Sequence, residues 1–322
     1  MNPVLKKRIL PAAVLILAIL FPVVIRNNYY IQICCTSMIY LVAVYGLNLI
    51  TGMAGQTNLG TAGIFALGAY TAALFETLVG WSPWLSLIPV IVMGVIIGFV
   101  LGFPSLRLKG LYLALTTIAL TEIVRKVILA WSDVTQGALG IKNIPHIVLF
   151  GREIRTTTQF YYFALVIVLI FSVICSRIIH GKWGRILIAV KDNPEAAASC
   201  GANVSAVKLT AFVAAAVMGC IAGWMFCHNY NYVNPSTFTM DLSINLVIMM
   251  SFGGAGNIYG CMVGCLVITL LPEALRVFGD YYQIVYAIIV VLFAVFLPGG
   301  VVSLVKRGLA AASGRQKLLQ GR

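Results

Sequence analysis

One long polar segment interrupts this otherwise apolar chain, and its residues are spaced to start and stop a short helix. Asn193 can accept hydrogen bonds from the free N–H groups of a first helical turn, Pro194 suits the first helical position, and Glu195 favours the positive helix end. Gly201 is a natural stop. A helix of roughly 10 Å is too short to be stable alone, so it must dock on another surface. The candidate docking residues are Lys191, Asn193, Pro194, Glu195, Ala196, Ala197 and Gly201.

The charges around this helix indicate its side of a membrane. Lys182, Arg185 and Lys191 precede it, so positive charge favours a cytoplasmic location for the loop 180–208 if the apolar flanks span a bilayer. A short cytosolic helix between two spans is suited to contact a soluble motor protein. The alternative is an ordinary capped loop helix with no partner.

Two further ionisable residues, Glu122 and Arg125, lie three positions apart and therefore on one helical face. Charged groups within a membrane span are costly unless they are paired or wetted, which makes this candidate outer ion pair a functional candidate. An ion pair that only holds the end of a helix is the alternative.

The chain lacks the residue patterns of an enzyme. His146, His180 and His228 are far apart, and the sequence has no evident catalytic triad, paired carboxylates or metal-ligand spacing. It also has no G-x-x-x-x-G-K-[ST] motif. We therefore expect no catalytic residues, no metal and no cofactor bound by this chain; if ATP drives it, ATP and Mg²⁺ bind to another polypeptide.

The amino-acid composition indicates a membrane protein. Of 322 residues, 61% are hydrophobic and only 10% are charged, more apolar surface than a soluble domain can bury. With about 20 apolar residues per crossing, we predict an all-α polytopic membrane protein, a single transmembrane domain over 1–322, with about ten spans (8–10) and broken or re-entrant segments. The predicted spans are 9–25, 29–50, 59–79, 84–106, 110–130, 160–179, 208–227, 242–256, 258–275 and 282–303.

The distribution of basic residues sets the orientation. The formal charge of +13 comes from residues that cluster at span ends, so the lipid bilayer and not nucleic acid is the expected partner. Most lysines and arginines face the cytoplasm when both termini are cytoplasmic. The loop 131–159 then lies outside, either as a landing surface for a soluble partner or as a plain connector. The cysteines fall mostly in apolar runs and are expected to be buried.

Two glycine-rich stretches carry polar residues among apolar ones. Such glycines either let helices approach closely or break a helix, and broken backbone is tolerated only inside protein or beside a cavity. We leave both possibilities open and expect the two stretches to face one another near a transport path. The candidate path residues are Asn48, Gly52, Gly55, Gln56, Asn58, Gly60, Asn245, Gly253, Gly254 and Gly256.

Five motifs together resemble the membrane permease subunits of bacterial branched-chain amino acid ABC importers, the LivM-like branch. They are YGLNLITGMAGQTNLGTAGIFALGAYTAA at 45–73, LKGLYLALTTIALTEIVR at 108–125, TQGALGI at 135–141, GRILIAVKDNPEAAASCGANVSAVKLTAF at 184–212 and SFGGAGNIYGCMVG at 251–264. Three details depart from the family pattern. Lys191 stands where Arg is common, the Ile-x-Leu-Pro ending of the importer loop is absent, and Asn58 and Thr61 replace residues of a Ser-Leu-Gly-His run.

The resemblance implies a bacterial inner-membrane transporter for leucine, isoleucine, valine or related amino acids. It implies a heterodimer with a sister permease subunit, two cytosolic ATPase subunits that contact the loop at 194–200, and an extracytoplasmic substrate-binding protein. Similar permeases for urea, amides or other amino acids are the alternative. An ion-coupled secondary transporter would need acidic residues near the middle of the membrane, and the nine acids here lie mainly toward span ends.

Overall fold

The computed structural model describes residues 18–25, 27–108, 110–149, 151–296 and 300. Within them the chain is almost entirely helical. The α-helices are α1 (18–24), α2 (Asn28–Leu47), α3 (Thr61–Thr77), α4 (Pro83–Ser105), α5 (Leu111–Ala130), α6 (Ser132–Thr135), α7 (Thr157–His180), α8 (Lys182–Asp192), α9 (Pro194–Ser199), α10 (Val204–Tyr230), α11 (Met240–Gly253), α12 (Ile258–Ala274) and α13 (Tyr282–Phe296). A π-helix, Asn48–Met53, continues α2, and 3₁₀ turns cover Gly137–Leu139, Pro235–Thr237 and Leu275–Tyr281.

The all-α membrane architecture is confirmed, whereas the count of ten crossings is not. Every predicted span from 29–50 onward coincides with a helix, and the first coincides with α1 only over its described part. Five stretches within the described ranges are long and apolar enough to cross a membrane. α3 and α11 are shorter, at 17 and 14 residues. At 1.5 Å per residue α11 measures about 21 Å, less than the roughly 30 Å of hydrocarbon. Part of the last predicted span and the C-terminal tail lie outside the described residues.

Helix α10 is the centre of the bundle because small residues on its neighbours let them approach closely. Gly94, Gly98 and Gly102 of α4 lie four residues apart, and a Cβ on Gly98 would lie 2.6 Å from the Cα of Val213 in α10. On the other side, a Cβ on Gly68 of α3 would run into the Cys220 carbonyl. This small-residue packing replaces the hydrophobic driving force that is lost in lipid.

Each connection between helices lies at one of the two ends of the bundle. The α9 end contains the π-helix, the α4–α5 connection, α8, α9 and the α11–α12 connection. The α6 end contains the α3–α4 turn, the loop 131–156, the α10–α11 connection and the start of α2. Contacts within each end agree with this division: Gln56 Nε2 donates to Ser105 Oγ at 3.4 Å at the α9 end, and Arg276 Nη1 donates to the Tyr29 hydroxyl at 2.9 Å at the α6 end.

The loop at the α6 end is built from short strands that sequence analysis did not predict. β1 (Ile141–Lys142) pairs antiparallel with β4 (Tyr232–Val233), and β2 (Val148–Leu149) pairs with β3 (Arg152–Glu153). Asn231 Nδ2 donates to the Ile144 carbonyl at 2.8 Å, and Trp84 Nε1 donates to the Val148 carbonyl at 2.7 Å. The loop is therefore bonded to α4 and to the α10–α11 connection.

The uncovered surfaces of α4 and of the middle of α7 (160–176) are apolar. Exposed residues on α4 include Ile88, Val92 and Phe99, and those on α7 include Val166 and Ile170. These faces suit contact with lipid tails, for which no polar partner is needed. Seven of the eight cysteines are buried as free thiols, as predicted for them, and Cys200 is exposed.

Candidate functional site

Helix α9 forms as the sequence predicts. The Asn193 side-chain Oδ1 accepts hydrogen bonds from the backbone N–H groups of Glu195 at 3.1 Å and Ala196 at 3.0 Å. Pro194 occupies the first turn, and the helix ends at Ser199. Gly201 has φ of +85°, a left-handed conformation that glycine adopts at low cost. The start and stop signals of this helix are confirmed.

Only one side chain of α9 is buried. Ala197 packs into a small apolar cluster, whereas Glu195 and Ala196 are exposed. Helix α8 contributes Leu187 and Val190 to the same cluster, three residues apart on its inner face. The remaining members of this apolar cluster are Met53, Ala54, Val207 and Ala211. The α8–α9 unit therefore docks on the π-helix and the first turns of α10. Its outer surface is mixed, with the charged Lys182 and Glu195 and the exposed Trp183 and Ile188.

Lys191 joins the loop directly to the broken helix. Its Nζ donates to the backbone carbonyl of Gly52 at 2.8 Å. Carbonyls near a helix C-terminus lack intrahelical partners, and a cation there is favourable. A Cβ on Gly55 would lie 2.7 Å from Lys191 Cγ, so the absence of a side chain there lets the lysine stem pass.

The two glycine-rich stretches contact one another at this point, as expected. Asn48 is buried, and its Oδ1 accepts a hydrogen bond from the Gly256 N–H at 2.7 Å. Gly52 packs into the same contact, because a Cβ there would meet Asn48 Oδ1 and would lie 2.8 Å from the Gly256 nitrogen. Both possibilities considered for these glycines are thus realised together: the helix is broken, and the break is tightly packed.

The other candidate polar residues of the first stretch also find partners. Asn58 Oδ1 accepts from the Gly60 N–H at 2.9 Å, and Gly60 lies so close to α5 that a Cβ would run into the Thr117 carbonyl. Gln56 donates to Ser105, while its Oε1 lacks a hydrogen-bond partner among the described residues. These residues fasten the start of α3 to α4 and α5.

The candidate residues of the second glycine-rich stretch do not all lie at the same place in the structure. Gly254 and Gly256 have φ of +105° and +83° and form the turn between α11 and α12. Gly253 packs against the Gly260 carbonyl. Asn245 is bonded elsewhere, because its Oδ1 accepts from the Tyr286 hydroxyl of α13 at 3.1 Å. The structure therefore does not bring Asn245 to the Asn48–Gly256 contact.

Glu122 and Arg125 form the expected ion pair, with Arg125 Nη2 3.1 Å from Glu122 Oε2. Their side chains are 40% and 28% exposed, so the described helices cover this face of α5 only in part. Tyr112, Leu115 and Ile123 continue this exposed face along the helix. A charged pair on the outside of the bundle distinguishes α5 from the apolar faces of α4 and α7.

Sequence analysis missed a buried polar network. Glu76, near the end of α3, has a fully buried side chain whose Oε2 lies 3.0 Å from Nε2 of His228, which is also fully buried. Ser86 Oγ donates to Glu76 Oε1 at 2.5 Å, and Trp224 Nε1 donates to Ser86 Oγ at 3.1 Å. Because Glu76 separates the serine from the histidine, this is not a nucleophile–base pair. It ties α3, α4 and α10 together.

A cavity of about 670 Å³ lies beside this network at the α6 end. Its lining includes Glu76, Trp81, His146, Glu153 and Asn231. Within the described ranges, no group of three His, Cys, Asp or Glu side chains is arranged to hold a metal ion.

Comparison with known proteins identifies related chains. Residues 29–295 match the family described as the permease component of the branched-chain amino acid transport system. The high-affinity branched-chain amino acid transport system permease protein LivM of Escherichia coli (strain K12) is 29% identical over 97% of this chain and 79% of its own length. The fructose import permease protein FrcC of Rhizobium meliloti is 27% identical, over 87% of this chain and 81% of its own length. No solved structure shows a significant match.

Proposed function

Because the chain belongs to the family of permease components of branched-chain amino acid transport systems, we propose that it moves leucine, isoleucine, valine or a related amino acid across a membrane as part of an ATP-driven importer. It is a multi-pass membrane protein and a transport subunit, not an enzyme, as the relatives in this family are. We assign it to the bacterial cytoplasmic membrane with both termini in the cytoplasm.

The observation that carries the proposal is the arrangement of α9. Its cap and its stop are ordered, yet only Ala197 is buried, so Glu195 and Ala196 remain free to contact another protein. A helix this short does not persist in water without a surface to dock on, and its own docking surface is the end of a broken helix. We propose that this outer face binds a cytosolic ATPase subunit, which supplies ATP and Mg²⁺ binding.

The uncovered face of α5 supports a second protein partner. A Glu122–Arg125 pair facing hydrocarbon would pay a desolvation cost that nothing in the lipid offsets. The proposal is that this face is turned toward a sister permease subunit and a wetted passage between the two chains. The exposed faces of α4 and of the middle of α7 (160–176), which are apolar, would then be the lipid side.

At the α6 end the loop 131–159 and the neighbouring cavity offer a surface to an extracytoplasmic substrate-binding protein. Polar groups that could recognise a ligand are few in the bundle, so the proposal assigns substrate choice mainly to that protein. The similarity to FrcC, a fructose permease by name, makes sugars the substrate class that a test must separate from amino acids.

The test is uptake of labelled leucine by membrane vesicles that contain the partner subunits with or without this chain. We expect ATP-dependent leucine uptake that needs the chain and that valine competes but fructose, urea and glutamine do not. Unchanged leucine uptake together with loss of fructose uptake would overturn the amino-acid assignment and keep the permease assignment. Absence of ATP dependence would overturn the importer proposal itself.

A further inference from the structure

We propose that Lys191 and Asn48 form a mechanical relay that transmits movement of α8 and α9 to the turn between α11 and α12. The inference rests on the proposed docking of an ATPase subunit at α9 and goes beyond it by assigning how the docked helix acts on the rest of the bundle. Two hydrogen bonds and two close glycine contacts carry it.

The first step joins the loop to the π-helix. Lys191 lies two residues before Asn193, the cap of α9. A displacement of α9 therefore also displaces Lys191. Its ammonium group donates to the Gly52 carbonyl at 2.8 Å, a charge-assisted bond that is stronger than a neutral one. Gly55 lies against the lysine stem, and the absence of a side chain at this position lets the lysine reach the Gly52 carbonyl.

The second step joins the π-helix to α12. Gly52 cannot shift toward its neighbours, because the space where a Cβ would stand is filled by Asn48 Oδ1 and the Gly256 backbone nitrogen. Asn48 in turn holds the Gly256 N–H at 2.7 Å. The π-helix and the turn between α11 and α12 are thus in direct contact, so a push on Gly52 is delivered to Gly256.

The third step concerns what Gly256 can move. Gly254 and Gly256 have positive φ, so the turn is built from residues that change conformation at low cost. Asn257 follows at once and caps α12 by accepting from the Gly260 N–H at 3.2 Å. A displacement at Gly256 therefore acts on the first turn of α12, and hinges of this kind absorb the backbone changes of a switching protein.

The experiment uses the complete importer, with Cys200→Ser to remove the exposed thiol and Ala255→Cys to report on the turn. Ala255 is exposed, so a maleimide dye can reach the new thiol. We expect the labelling rate to differ at least about threefold between the ATP-bound, vanadate-trapped complex and the nucleotide-free complex. Lys191→Met should abolish that difference.

Lys182→Met is the matched control, because it removes the same charge from the same helix at a position without the Gly52 contact. It should keep the nucleotide-dependent labelling.

Asn48→Ala should abolish the labelling difference as Lys191→Met does. Substrate uptake by the double variant should equal uptake by whichever single variant transports less, because both changes interrupt one series of contacts.

A labelling difference that persists in Lys191→Met and Asn48→Ala would overturn the relay. Loss of ATPase copurification from the parent complex would instead overturn the docking proposal, so the two failures are distinguishable. If either variant is missing from the membrane, Lys191→Arg, which keeps a donor at this position, serves in its place; it should retain the labelling difference at a reduced size, and full loss would count against the relay.

Discussion

The stop signal of α9 gives a prediction whose magnitude follows from the local geometry. A Cβ at Gly201 would meet nothing within 4 Å, so substitution there costs only the strain of a left-handed backbone at φ of +85°. For a β-branched residue that strain is about 1–2 kcal/mol. Asn tolerates this conformation, so Gly201→Val and Gly201→Asn differ in backbone strain while both add a side chain of similar size.

Little else holds α9 in place. The Asn193 cap contributes about 1 kcal/mol, and burying the single Ala197 methyl contributes about 0.8 kcal/mol. A penalty of about 1.4 kcal/mol therefore lowers the ratio of ordered to disordered helix roughly tenfold.

Hydrogen exchange of the peptide covering 194–202 measures this loss directly, because its amide protection reports local opening. We expect Gly201→Val to lower protection about tenfold and to weaken copurification of the ATPase subunits, with Gly201→Asn close to the parent protein. Equal protection in the two variants would refute the assignment of Gly201 as a conformational stop. Lower protection with full copurification would refute the role of α9 as the docking helix.

Three further substitutions test the bundle. His228→Leu leaves the fully buried Glu76 carboxyl without its imidazole partner, so we expect a loss of about 3 kcal/mol and a fall of several degrees in the thermal unfolding midpoint in detergent. Gly223→Val forces a side chain into the Phe65 carbonyl on α3, and we expect little folded protein in the membrane. Arg125→Leu exposes an unpaired Glu122 on the outer face of α5, and we expect uptake to fall while the thermal midpoint changes by less than with His228→Leu.

Each of these expectations has a discriminating control. Replacing both Glu76 and His228 by apolar residues should recover part of the stability lost in the single variant, and an additive loss would contradict a coupled pair. Gly219→Ala adds a methyl that meets only the Ile64 side chain, 3.0 Å from its Cγ2, and no backbone atom, so it should be tolerated where Gly223→Val is not. An Arg125→Leu variant with normal uptake would contradict the proposed passage along α5.

Local signals made part of this molecule predictable. The Asn193 cap, the Gly201 stop and the Glu122–Arg125 pair each depend on residues within a few positions of one another, where spacing determines geometry. The long apolar runs predicted their helices for the same reason, since one physical requirement, burial in hydrocarbon, sets both length and composition.

Contacts distant in sequence were not predictable in detail. Glu76 and His228 stand 152 positions apart, and nothing in their spacing indicates that they meet. Gly94, Gly98 and Gly102, in contrast, form a small-x-x-x-small pattern, which predicts close helix packing from the sequence alone. Asn48 and Gly256 were both in candidate stretches, but the sequence does not say which donor meets which acceptor, and Asn245, chosen on the same composition, bonds to α13 instead.

The strand pairing at the α6 end makes the bundle unequal in stiffness along its length. One end is cross-linked by β1–β4 and by the Trp84 bond to the loop, while the other carries a broken helix, a glycine turn and a lightly docked loop. Helix α10 has 27 residues, so at 1.5 Å per residue it is a lever arm of about 40 Å. A tilt of about 5° about the stiff end would carry its far end about 3.5 Å, by the same helix rise, and that end carries Val207 and Ala211, which pack in the apolar cluster with Ala197. A small rotation about the α6 end would thus displace the surface on which α8 and α9 dock.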